Sequence, residues 1–146
     1  KGKALKNGTD YTVTYPKGMK NVGKYTVKVT LKGNYSGSKS MTYNINPKGT
    51  SVSKVTAAKK GFKVTWKKQA TQITGYQVQY STSSKFKSAK TVTISKNKTT
   101  SKSVNKLSAK KKYYVRVRTY KTVKIGGKSV KLYSGWSKAK SVTTKK

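Results

Sequence analysis

Two arginines define the chemistry this chain could perform. Arg116 and Arg118 are the only arginines among 36 basic residues. They stand two apart in the run Tyr113-Tyr114-Val115-Arg116-Val117-Arg118-Thr119-Tyr120. Successive strand side chains point to opposite faces, so in an extended conformation Tyr114, Arg116, Arg118 and Tyr120 share one side. A guanidinium recognises carboxylate, sulfate or phosphate through paired N–H groups, which an ammonium cannot do. A tyrosine ring adds a surface on which sugars or bases stack. The competing reading is a solvated sheet face whose long side chains merely cover the strand.

Other chemistry is easier to dismiss. The chain has no His, no Cys and a single acidic residue, Asp10. Paired carboxylates and Ser-His-Asp triads cannot be assembled from that set, so no catalytic residue is assigned. Zinc lacks its sulfur and imidazole ligands, and calcium would have one carboxylate, so no metal site is assigned. Gly126-Gly127 followed by Lys128 lacks the spacing of a phosphate-binding loop, and no cofactor is expected. Asp10 follows the turn signal Asn7-Gly8, where a short acceptor side chain caps local backbone.

The charge balance is extreme, at +35 for 16.1 kDa. A compact protein of that mass exposes roughly 7,400 Å², which leaves roughly 14 Å between neighbouring charges. The Debye length is about 8 Å at physiological salt, so the repulsion is screened there and grows at low ionic strength. Such a lysine-rich surface attracts polyanions or serves as a solubilising coat. No apolar run approaches the ~18 residues a membrane span needs.

The elements that would position the arginines are strands. Tyr113, Val115 and Val117 alternate with the polar set, the signature of a half-buried strand. Leu107 stands six residues before Tyr113, and this Leu-to-Tyr spacing ahead of a Val-x-Val strand resembles the tyrosine corner of fibronectin type III and immunoglobulin-like sandwiches. From residue 49 onward the order of features resembles a complete fibronectin type III domain. Val52 and Val55 fit its first strand, and Gly61-Phe62-Lys63-Val64-Thr65-Trp66 its second, with Trp66 as the core tryptophan. Gly75 to Tyr80 fits the third, followed by a loop pinned by Phe86; Val92 and Ile94 mark the fourth. Gly126-Gly127 signals a tight hairpin, because both residues accept positive φ. Tyr133-Ser134-Gly135-Trp136-Ser137 is expected to open the last strand. The resemblance implies that the third strand runs beside the Arg strand and presents Gln77 and Gln79 on the candidate anion or glycan face. It also implies that Trp66, Leu107 and Tyr113 belong to the structural core. There is no Arg-Gly-Asp, so integrin-type adhesion is not implied.

Residues 1–48 carry three alternating runs: Tyr11-Val13-Tyr15, Tyr25-Val27-Val29-Leu31 and Met41-Tyr43-Ile45. The stretches NGTDYTVTY and NVGKYTVKVTLKGNYSGS resemble the C-terminal half of immunoglobulin-like repeats in Gram-positive surface proteins. Such modules carry further strands upstream, so the chain is expected to open inside one. Its uncovered apolar face is then expected to self-associate, dock or stay partly disordered. Pro47-Lys48-Gly49 marks the boundary.

The expectation is therefore an all-β protein: a partial β-sandwich module over 1–48 and an immunoglobulin-like, fibronectin type III sandwich over 49–146. The resemblance implies a non-catalytic spacer or accessory adhesive module of a secreted or cell-wall-associated bacterial protein, at the cell surface, with neighbouring domains of its parent as partners. The alternative is a module that binds anionic polymers such as teichoic acid, sulfated glycan or nucleic acid.

Overall fold

The computed structural model describes residues 2–146. They form two compact units, divided between Ile45 and Asn46, and every regular element in them is a strand.

The first unit is an antiparallel meander of β1 (Tyr11–Thr14), β2 (Gly23–Leu31) and β3 (Ser38–Ile45), with β2 in the middle. Its register sets Tyr11 opposite Leu31, Val13 opposite Val29, Tyr25 opposite Tyr43 and Val27 opposite Met41. Directly opposed residues share a face, so one side of the sheet is apolar and the other carries Thr and Lys. None of the apolar side chains in these strands reaches full burial, and Met41 is 57% exposed. The Tyr25 hydroxyl reaches the carbonyls of Gly18 (2.7 Å) and Asn21 (2.8 Å), tying the β1–β2 connection to the sheet. Asp10 caps its own turn, its Oδ2 accepting the Lys6 N–H at 2.9 Å.

The second unit is a two-layer sandwich. One sheet orders β4 (Val52–Ala58), β5 (Gly61–Trp66) and β8 (Ser101–Val104). In the other, β9 (Lys112–Ile125) is flanked on one side by β6 (Gly75–Ser81) and then β7 (Lys90–Ile94). On its other side it pairs with both β10 (Lys128–Tyr133) and β11 (Lys140–Thr143). The inward residues of the two layers make the core: Phe62, Val64 and Trp66 against Tyr76, Val78, Tyr80, Tyr113, Val115 and Val117. Burying each such side chain contributes about 1.5–3 kcal/mol, the main term opposing chain entropy. Leu107 is half-buried and packs against this cluster. The polar tips of the core rings are individually placed. The Tyr76 hydroxyl accepts the Gln69 N–H and donates to the Asn97 carbonyl, each at 2.9 Å. The Tyr113 hydroxyl accepts the Ser108 N–H at 3.3 Å, closing the corner five residues upstream. Trp66 Nε1 is buried without a partner among the described residues.

One element differs from the sequence reading. Residues 133–137 do not open the last strand; Tyr133 ends β10, and β11 begins only at Lys140. The reason is a side-chain substitution in the hydrogen-bond ladder. Ser134 N–H donates to the Thr119 carbonyl (3.0 Å), and its Oγ accepts the Thr119 N–H (2.9 Å). Ser137 does the same with Val117, at 2.8 and 3.0 Å. Two serines three apart thus satisfy the β9 backbone while their own chain bulges away from strand geometry. Trp136 lies between them.

Candidate functional site

The outer face of β9 is where the strands bring the candidate residues together. Pairing of β6 with β9 sets Gln77 opposite Arg118 and Gln79 opposite Arg116. Arg116 Nε donates to Gln79 Oε1 at 2.8 Å, and Arg118 donates to Gln77 Oε1 through Nε (2.9 Å) and Nη2 (2.8 Å). Each glutamine passes the polarity to the next strand, Gln77 to Thr93 Oγ1 at 3.1 Å and Gln79 to Thr91 Oγ1 at 3.2 Å. Gln77 is only 8% exposed, so its carbonyl depends on Arg118.

Above this polar layer lies a stack that the sequence reading did not contain. The Arg116 guanidinium carbon sits 3.9 Å from the Phe86 ring centroid and 4.8 Å from that of Trp136. Arg118 sits 4.3 Å from Trp136 and 3.8 Å from Tyr133. The order is ring, guanidinium, ring, guanidinium, ring: Phe86, Arg116, Trp136, Arg118, Tyr133. A guanidinium is planar and weakly hydrated, so it stacks on ring faces where an ammonium only points at them. Burial lowers both arginine pKa values from the ordinary range.

Three aromatic residues, each from outside the Arg strand, complete the site. Phe86 arrives from the β6–β7 connection at φ 55°, a left-handed conformation uncommon for an aromatic residue. Trp136 arrives from the bulge between the two serines, and Tyr133 from the end of β10. The signal for Tyr133 and Trp136 was present as Tyr133-Ser134-Gly135-Trp136-Ser137, two serines and two aromatics beside a Val-Arg-Val-Arg strand.

The two tyrosines of the candidate face have different surroundings. Tyr114 is half-buried, with Lys112 Nζ 5.5 Å from its ring centroid. Tyr120 is 2% exposed and is not the open stacking surface expected of it. The cause is its cross-strand neighbour Gly75, whose missing Cβ leaves room for the ring. Lys131 Nζ (5.2 Å) and the Tyr133 ring (6.3 Å) cover it further. Burial, and secondarily Tyr133, pushes its hydroxyl pKa above the ordinary value.

Elsewhere, no group of three or more metal-ligating side chains gathers among the described residues. No helix among them is long and apolar enough to cross a membrane.

Residues 45–134 match the family profile described as Fibronectin type III domain. No curated protein matches the chain. Among solved structures, the crystal structure of chicken CNTN1 FN1-FN3 domains is similar at 20% identity and a TM-score of 0.55, over 86% of this chain and 44% of that one. Domains A168–A170 of titin are similar at 19% identity and a TM-score of 0.46, over 97% of this chain and 51% of that one. The chain thus spans about half the length of each.

Proposed function

We propose, for a chain that belongs to the fibronectin type III family, a role as a non-catalytic spacer in a secreted or cell-wall-associated bacterial protein. The family's domains are commonly structural modules. The observation that carries the reading is the use made of Arg116 and Arg118. Both planes lie between aromatic rings, and both Nε atoms bond to glutamines of the next strand. The residues best suited to recognising a ligand are engaged in holding their own sheet face closed. Residues 1–48, read as the end of an immunoglobulin-like repeat, fit a chain of tandem modules with neighbouring domains as partners. Self-association through that segment would appear as a concentration-dependent sedimentation coefficient.

A second reading keeps one specific support. Arg116 Nη1 and Nη2 have no hydrogen-bond partner among the described residues, so that edge remains able to meet an anion. The chain as a whole carries +35 and would attract teichoic acid, sulfated glycan or nucleic acid.

Titration of the wild type and of the double variant Arg116→Lys, Arg118→Lys against DNA, heparin and teichoic acid separates the two. A spacer gives affinities that follow polymer charge density alone, fall steeply with salt, and match between the two proteins. A preference for one polymer that the charge-neutral double variant loses would replace the spacer with a binding module.

A further inference from the structure

We propose that the second unit carries a binding site for a small organic carboxylate, at the open edge of the sandwich. The depression there has a volume of about 200 Å³ and is lined by Tyr80, Thr82, Ser88, Lys90, Leu107 and Tyr113, with Ser81 at its back. At roughly 30 Å³ per liquid water it has room for about seven waters, the scale of one sugar acid or aromatic acid.

The donors in it are unusually free. Tyr80 is 9% exposed, its ring fixed by Phe62 at 5.7 Å and Tyr113 at 6.2 Å. Its hydroxyl nonetheless bonds to no described residue. Nor is it sealed away: among the described residues the buried side-chain polar atoms without partners are Tyr43 Oη and Trp66 Nε1. The hydroxyl is therefore reachable, and the depression is the opening that Tyr80 lines. Tyr113 Oη accepts from Ser108 N–H and keeps its own O–H proton to give. Ser81, by contrast, is committed: its Oγ donates to the Lys87 carbonyl (2.7 Å) and accepts the Ser83 N–H (3.0 Å). It shapes the loop rather than the ligand.

Lys90 supplies the charge. It is the direct cross-strand partner of Tyr80, so its side chain leaves β7 on the same, inward side of the sheet. An inward lysine on an edge strand also discourages strand-to-strand aggregation, and that is the competing explanation for it. Burial, with a lesser contribution from Tyr113, raises the Tyr80 pKa and keeps the phenol a donor at neutral pH. One ammonium, two phenols and the hydroxyls of Thr82 and Ser88 make a donor-rich pocket against the apolar wall of Leu107 and the rings. Such a set takes a singly charged oxyanion attached to a carbon body. Phosphate and sulfate carry more charge and are better met by guanidinium forks, which are absent here. Concave sites with a few convergent polar groups on apolar walls are the usual form of small-molecule pockets.

The same carboxylate could reach the pocket as a free acid or as a residue of a glycan. The whole chain is titrated by amide NMR at physiological salt with sodium glucuronate, a tetrasaccharide carrying that residue, glucose and inorganic phosphate. The expected result is saturable shifts confined to residues 80–90 and 107–113, with glucose and phosphate much weaker. Tyr80→Phe and Lys90→Gln should each weaken glucuronate binding about fivefold or more, while Lys128→Gln, which removes the same charge at the β9–β10 turn, should not. A glycan source predicts tighter binding of the tetrasaccharide, and a free-acid source tighter binding of the monomer. Shifts scattered over lysines everywhere, phosphate matching glucuronate, or Lys90→Gln matching wild type would overturn the site and leave Lys90 an edge guard. Lys90→Gln lies on an exposed position and keeps the test open if Tyr80→Phe fails to fold.

Discussion

Replacing Arg118 with lysine preserves charge and removes the planar fork, which makes it the sharpest perturbation of the stack. Arg118→Lys deletes two N–H bonds to Gln77 Oε1, an acceptor only 8% exposed that water cannot easily re-solvate. Leaving such a group short of a donor costs about 1–3 kcal/mol. The guanidinium also leaves its place between Tyr133 and Trp136. A lysine keeps part of that attraction, so a further loss of about 0.5–1 kcal/mol is assigned to it. The total is about 1.5–4 kcal/mol. Arg116→Lys loses one bond to the half-buried Gln79, where water can take its place, and its seat between Phe86 and Trp136, so about 1–1.5 kcal/mol is expected. Because net charge is constant, long-range repulsion cancels in the comparison. Urea unfolding of the second unit, followed by circular dichroism at physiological salt, reads the difference. With m about 2 kcal/mol/M, Arg118→Lys should lower the midpoint by about 1–2 M and Arg116→Lys by about half that. Ordinary surface side chains would give changes within about 0.5 kcal/mol. Midpoints unchanged for both variants, or the larger loss at Arg116, would refute the stack as a structural device.

Other positions give simpler expectations. A Cβ at Gly75 would strike the Ile94 carbonyl oxygen and press on Tyr120 at 3.1 Å, so Gly75→Ala should cost about 3 kcal/mol or more in the same melts. Tyr113→Phe removes the acceptor of the Ser108 N–H and should cost about 1 kcal/mol, while Trp66→Ala should cost about 3–5 kcal/mol through a core cavity. Raising ionic strength from low to physiological should raise the melting temperature, because salt shortens the reach of repulsion among charges totalling +35. A flat response would mean the charges are already too far apart to matter. The tyrosine hydroxyls whose pKa burial raises, Tyr80 and Tyr120, favour the fold while protonated. Their contribution is complete below about pH 10, the unfolded value, and is lost as pH climbs through the folded values. Alkaline titration of Tyr80→Phe, compared with wild type, should show a shallower decline.

What the sequence made legible was whatever a period of two controls. The alternation through Tyr113, Val115 and Val117 placed the core side of β9, and the Gly126-Gly127 pair placed its hairpin. The third strand's position beside β9 followed from the family resemblance, and with it the facing of glutamines and arginines. What was not legible depends on directions that no period specifies. Phe86 sits in a loop and Trp136 in a bulge, so neither side chain's aim follows from its neighbours' pattern. Tyr120 obeys the alternation and still ends up buried, because burial there is decided by the absence of a side chain at Gly75, on another strand.

The choice of residue separates two jobs that positive charge does in this chain. Lysine serves at every basic position except 116 and 118. Where a charge faces water, or only has to point at a ring or a carbonyl, a hydrated point charge on a flexible stem suffices. At 116 and 118 the charge must also be flat, to lie between rings at 3.8–4.8 Å, and must present Nε sideways to a glutamine on the next strand. Only a guanidinium does both. The same selectivity explains the two serines: the stack needs Trp136 out of strand geometry, and β9 needs its hydrogen bonds at Val117 and Thr119. A hydroxyl at each flank meets the second need while permitting the first. Arginine in a lysine-rich chain therefore marks where geometry is demanded, and here the demand comes from the protein's own aromatic residues.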